Sequence, residues 1–127
     1  MPKKKKKRFR LIVAGSRNVR DPATTYDAIE ELLEQKGIKK KRLVIVSGGA
    51  AGPDSHAVKW AKAKGVRFRL VLASWDLHGK SAGIIRNVEM AKMSDGLLAL
   101  WDGESRGTAH MIVTAKNRKL KVKVVHV

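Results

Sequence analysis

Three apolar runs, each leading into a glycine-rich turn, limit what this chain can fold into. Phe9 to Ala14 runs into AGSR (14–17), Leu43 to Val46 into SGGAAGPD (47–54), and Gly96 to Trp101 leads past Asp102 into GESRGT (103–108). Stretches with helical spacing separate them. Asp21-Pro22 opens the first, with Asp21 suited to cap it and Pro22 to its first turn, and Ala28, Ile29, Leu32 and Leu33 form one apolar face before Gly37 ends it. Pro53-Asp54 opens the second, which Gly65 stops. A third helix is expected near Ala82 to Met93, after a loop holding Trp75, Asp76, His78 and Gly79, and a fourth runs to about Arg118. The remaining apolar segments, Val66 to Ala73 and Leu120 to Val127, complete five strands. Strands alternating with helices predict an α/β fold in which helices cover both faces of a parallel sheet.

Side-chain polarity predicts the strand order. The first, second and fourth strands (LIVA, LVIV, GLLALW) are continuous apolar runs, as expected of parallel strands covered on both faces. The third and fifth interleave charge, with Arg67 and Arg69 among Phe68, Leu70 and Leu72, and Lys121 and Lys123 among Val122 and Val124, which marks sheet edges. With right-handed crossovers these edges give the order 3-2-1-4-5, a Rossmann-like three-layer sandwich whose topological switch point falls between strands 1 and 4.

Charge is the compositional extreme. The 127 residues carry 28 Lys plus Arg against 11 Asp plus Glu, a net charge of +17. Lys3 to Arg8 with Arg10 supply 7 of the basic residues, and the other 21 against 11 acids still leave +10. Residues 1–8 are expected to be a basic flexible tail that attracts nucleic acid without reading its sequence, and 9–127 a single domain. The chain lacks cysteine, which excludes disulfides and thiolate metal sites. The histidines at 56, 78, 110 and 126 lack metal-ligand spacing, so no metal site is expected. No apolar run approaches the ~20 residues of a membrane span, and none follows the basic start as in a secretory signal; a cytoplasmic protein without membrane contact is expected.

The switch-point crevice collects the glycine-rich turns. Gly15, Gly48, Gly49, Gly52, Gly103 and Gly107 let backbone approach a ligand closely. Helices beginning near Asp54 and Arg106 point amides and a positive dipole end into the same space, which suits phosphate. Arg17, Arg86 and Arg106 supply guanidinium forks, and Ser16, Ser47, Ser105 and Thr108 supply hydroxyls. Trp75 and Trp101 flank the crevice and are candidates to stack on a base, while Asp54 is read as a helix cap that also lines the pocket. SGGAAGPD lacks the Lys-Ser/Thr ending of a Walker A loop, and AGSRNV is not a GxGxxG fingerprint.

Those turns, together with GKSAGIIRNVEM (79–90) and SDGLLALWDGESRGT (94–108), resemble the SLOG superfamily, which includes the Smf/DprA DNA-processing proteins and the LOG cytokinin-activating enzymes, and within it the small stand-alone YspA-like subfamily. The resemblance spans about residues 9–127 and implies a domain that binds a nucleotide or nucleotide-derived molecule as sensor or processing protein. It adds Arg86 and Asn87 to the expected ligand-binding set, and it suggests a homo-oligomer, since members often pair through helices. Against the LOG pattern, Arg86, Gly103, Gly107 and Thr108 match, but Met111 stands where LOG enzymes carry a catalytic Glu and Trp101-Asp102 where they carry Pro-Gly. A thioether is no general acid or base. LOG-like hydrolysis would therefore need another carboxylate, for which Asp54, Asp102, Glu89 and Glu104 are candidates. Similarity to DprA rests on Gly15-Ser16-Arg17 and on Ser47-Gly48 with Ala50, Gly52 and Asp54, and implies nucleic-acid binding as the further alternative.

Overall fold

The computed structural model describes residues 8–127; the tail expected over 1–8 lies, apart from Arg8, outside the described residues. Five parallel strands, β1 (Phe9–Gly15), β2 (Leu43–Ser47), β3 (Arg67–Leu70), β4 (Gly96–Trp101) and β5 (Lys121–His126), form one sheet of order β3-β2-β1-β4-β5. This is the order that strand polarity predicts. Two apolar layers enclose the sheet. On one face α1 (Pro22–Lys36) and α2 (Pro53–Lys64) bury Leu11, Val13, Ile29, Ile45, Trp60 and Leu98. On the other, α4 (Ala82–Lys92) and α5 (Arg106–Asn117) bury Ile12, Val46, Met90, Leu97, Ala99 and Met111. Because successive residues of a strand point to opposite faces, the unbroken runs Leu11–Val13 and Leu97–Ala99 serve both layers at once.

The helix signals act as the sequence implies. The Asp21 carboxylate accepts from the Ala23 amide at 3.0 Å, and Gly37 closes α1 at φ 64°, a conformation that costs a residue with a Cβ. Trp60, 2% exposed, ties the two helices of its layer together, since its indole N–H donates to Glu30 at 3.1 Å.

Expectation and structure part at the far edge. The third strand stops at Leu70 rather than Ala73 because its partner β2 ends at Ser47; the Val71 amide still reaches the Ser47 carbonyl at 2.8 Å, and beyond it Leu72 is 64% exposed. The loop expected over 74–79 contains a single helical turn, α3 (Trp75–His78), followed by a 3-10 turn into α4.

Truncating Trp60 removes the largest side chain of the α1–α2 layer and orphans the Glu30 contact. Trp60→Ala is expected to cost about 3–5 kcal/mol, read as a lower midpoint in urea unfolding at unchanged slope. A loss below about 1 kcal/mol would mean that the layer does not depend on it.

Candidate functional site

At the carboxyl ends of β1, β2 and β4 a small cleft of about 110 Å³ opens between α2, α4 and α5. Gly15, Arg17, Ala50 and Asp54 line one side, Arg86 and Asn87 a second, and Ser105, Gly107 and Thr108 a third, over a base of Ala14, Met90 and Met111.

The walls meet because glycine lets them. A Cβ on Gly15 would lie 2.5 Å from Pro53 Cγ and 2.6 Å from the Leu100 carbonyl oxygen, so only glycine lets α2 begin against the end of β1. Gly52, at φ 87°, turns the chain into that helix. The Asp54 carboxyl is then held among the backbone amides of Ala50, Gly15 and Asp54 itself. Burial pushes its pKa from the ordinary 3.8 to about 6, against the opposing pull of the Arg86 guanidinium and those amides.

This contact changes the chemistry of the α2 terminus. The sequence suggests two helix ends open to anions, yet the buried Asp54 carboxyl stands in the first turn of α2 beside the cleft, and the amides of Ser55 and His56 turn back to the Ala50 and Gly52 carbonyls. The α5 terminus differs. Asp102 accepts from the Glu104 and Ser105 amides at 2.8 Å each, so the loop before the helix is braced, and Ser105 Oγ caps Thr108. Among the described residues the Arg106 and Gly107 amides, in the first turn beyond that cap, keep no hydrogen-bond partner. Of these two residues, Gly107 lines the cleft.

Arg86 is fixed from two directions: Nη1 donates to the Gly48 carbonyl at 3.0 Å and Nε to Asn87 Oδ1 at 3.2 Å. Asn87 in turn reaches His110 Nδ1 at 3.0 Å and the Gly107 carbonyl at 3.4 Å, which couples α4 to α5. A Cβ on Gly48 would displace the Arg86 guanidinium from its place on the Gly48 carbonyl. Arg17 is exposed at the cleft mouth.

Other residues singled out in the sequence support the walls or lie off them. Buried Ser16 accepts from the Asp102 amide at 3.0 Å, and buried Ser47 donates to the Asp54 carbonyl at 2.9 Å while accepting from Gly49. Asp102 carries a lowered pKa because the Ser105 and Glu104 amides stabilise its charge, which makes it a loop brace. Gly49 and Gly103 take positive φ in the flanking turns. Arg106, Glu104 and Glu89 are exposed and absent from the cleft wall. Trp75 lies 58% exposed near Gly83, and Trp101 donates to the Ser105 carbonyl at 3.1 Å with its ring tilted against His126. Ala50, named in the sequence only for the DprA resemblance, lines the cleft, and so does Met90, which nothing in the pattern separates from an ordinary core methionine. Among the described residues no three His, Asp or Glu converge as metal ligands, and no helix is long and apolar enough to cross a membrane.

The family model described as "YAcAr: YspA, cpYpsA-related SLOG family" matches residues 9–78. The chain belongs to that family. It is 36% identical over 119 residues to the Gene 61 protein of Mycobacterium phage D29, covering 89% of this chain and 93% of that protein. DNA processing protein A (DprA) from Streptococcus pneumoniae has the same fold, with a TM-score of 0.71 at 19% identity over 92% of this chain; the chain spans 50% of the length of that structure. The SLOG membership and the Rossmann-like sheet agree with what the glycine-rich turns imply.

Burial of Asp54 links its protonation to folding. Its folded value exceeds the unfolded one, so folding favours the protonated form, and stability from this group is full below about pH 4 and is lost as pH rises through about 6. Asp54→Asn, which keeps an oxygen for the amides without the charge, should therefore be more stable than wild type above pH 6, by roughly 3 kcal/mol or less, with the difference closing near pH 4. Urea titrations at both pH values check this; a variant less stable than wild type at pH 7.5 would contradict it.

Proposed function

We propose that this SLOG protein binds a nucleotide or nucleotide-derived molecule in the cleft, with a phosphoryl group at the α5 terminus and a sugar hydroxyl at Asp54. The observation that carries this reading is the division of labour between the two helix ends. The α5 end offers the partnerless amides of Arg106 and Gly107 beside the hydroxyls of Ser105 and Thr108, with Arg17 and Arg86 across the cleft. These are donors, and donors at a helix start suit an anion. The α2 end instead presents a carboxyl, which would repel phosphate but accept a hydroxyl. A ligand that is anionic at one end and rich in hydroxyls beside it satisfies both. At about 110 Å³ the cleft is smaller than the ~300 Å³ at which pockets for drug-sized ligands begin, so it holds the phosphate and sugar and leaves a base outside. Family membership and the DNA processing named in the structural neighbour support a nucleotide- or nucleic-acid-related role.

A second reading, hydrolysis, has one observation in its favour: Asp54 is the carboxyl in the cleft wall and titrates near pH 6, a value suited to a general acid or base. Met111 sits buried in the cleft base and supplies no such group. Release of base or phosphate from nucleoside monophosphates that disappears in Asp54→Asn would favour this reading over binding alone.

Arg17 gives the cleaner test of binding, because Arg86 also braces Gly48. Charge-assisted hydrogen bonds contribute about 1.5–3 kcal/mol, so Arg17→Ala should weaken a bound nucleoside monophosphate by about tenfold or more in calorimetry. Inorganic phosphate should compete with the same ligand. A nucleoside that binds as tightly as its monophosphate would put the phosphate outside the cleft and overturn this arrangement.

A further inference from the structure

Parallel strands place every strand start and every helix end at the pole opposite the cleft, and the basic residues gather there. The last turns of α1, α2, α4 and α5 carry Lys36, Lys62, Lys64, Lys92 and Lys116. Cations are what the negative end of a helix dipole attracts, and these five lysines need no other explanation. The strand starts go further. Arg10, Arg67 and Lys121 stand exposed on β1, β3 and β5; Lys39 and Lys41 precede β2; Arg118 and Lys119 precede β5. Of the carboxylates toward this pole, Glu30 is taken by Lys40 at 2.9 Å and Asp95 accepts the Arg10 amide at 2.9 Å, while Glu31 and Glu34 on α1 and Glu89 on α4 still leave the cations in excess. At the cleft pole, by contrast, Asp21, Asp54, Asp76, Asp102 and Glu104 offset the arginines.

This pole also has shape. A groove of about 350 Å³ runs between α1 and the starts of β1, β4 and β5. Its floor is apolar, with Phe9, Leu11, Leu32 and Ile38 above Gly96, where a Cβ would lie 2.9 Å from the Phe9 ring. Its rim is basic, with Lys36, Arg42, Lys121 and Lys123. An apolar slot edged by cations matches an anionic chain that carries flat apolar groups. A membrane surface is a plane and leaves a concave slot unfilled. A duplex keeps its bases stacked inside and offers the rim phosphate alone. A single strand offers both parts, since its unstacked bases are free to enter the slot.

We propose that the pole opposite the cleft is a docking surface for single-stranded nucleic acid, with phosphates on the basic rim and a base in the groove beside Phe9. This surface is separate from the cleft and needs no ligand there.

The test is fluorescence anisotropy with a labelled oligothymidylate and the full chain, titrated in salt from about 50 to about 200 mM. Charge reversal at three exposed rim lysines, Lys36→Glu, Lys121→Glu and Lys123→Glu together, should weaken binding by more than tenfold and lower the slope of log affinity against log salt by about 2, near 0.7 per lost phosphate contact. A variant matched in charge but away from this pole, Arg20→Glu, Lys59→Glu and Lys80→Glu together, separates local contact from net charge and should keep most of the slope. Equal losses in the two variants, or none in either, would overturn the proposal, since binding would then follow overall charge or the first eight residues alone. Abasic oligomers should bind more weakly than oligothymidylate; equal affinity removes the base from the groove and overturns the single-strand assignment. Capture by phosphatidylserine vesicles without oligonucleotide binding would assign the pole to a membrane surface instead.

Discussion

The cleft depends on one close approach, the start of α2 against the end of β1 at Gly15. With Pro53 and the Leu100 carbonyl both closer than any Cβ tolerates, that position admits only hydrogen, and the absence of a side chain there sets how near the helix comes to the sheet. From that distance the rest follows. The Asp54 carboxyl is carried beside the end of β1, becomes buried and takes a raised pKa, while the Arg106 and Gly107 amides at the α5 terminus keep no partner among the described residues. A sheet that needs glycine at its switch point for packing thereby acquires a polarised cleft.

The parallel sheet also sorts charge along its axis. Carboxylates at the cleft end cap a helix and brace a loop, as Asp21 and Asp102 do. Cations concentrate at the other. A net charge of +17 is thus less a uniform property than a gradient from a mixed pole to a basic one. The three arginines that the sequence suggests for the crevice divide in the same way: Arg86 is held by Gly48 and Asn87, Arg17 stands at the mouth, and Arg106 points off the wall while its amide stays available.

Much of this was legible in the chain. Unbroken apolar runs mark strands covered twice and interleaved charge marks edges, so the strand order needs no structure. Glycines after β1, β2 and β4 locate the cleft. What the pattern could not separate is the role of each polar residue within a turn. Ser16, Ser47 and Asp102 have the composition of ligand contacts, yet their hydrogen bonds are spent on the backbone of neighbouring turns, a distinction set by φ, ψ and distances across 86 residues in the case of Ser16 and Asp102. The end of β3 depends on where its partner stops, which is a tertiary fact. The groove at the basic pole is similarly silent in sequence, since Phe9, Leu32 and Gly96 read as ordinary core positions.

The central claim is that one helix end, that of α5, receives the anion while the other is occupied by Asp54. Amide chemical shifts measured by NMR during titration with a nucleoside monophosphate test it directly. The account predicts the largest shifts at the amides of Arg106, Gly107 and Thr108, with those of Ala50 and Gly15, beside the Asp54 carboxyl, moving little. Shifts centred on residues 48–55 with the α5 terminus unmoved would contradict it.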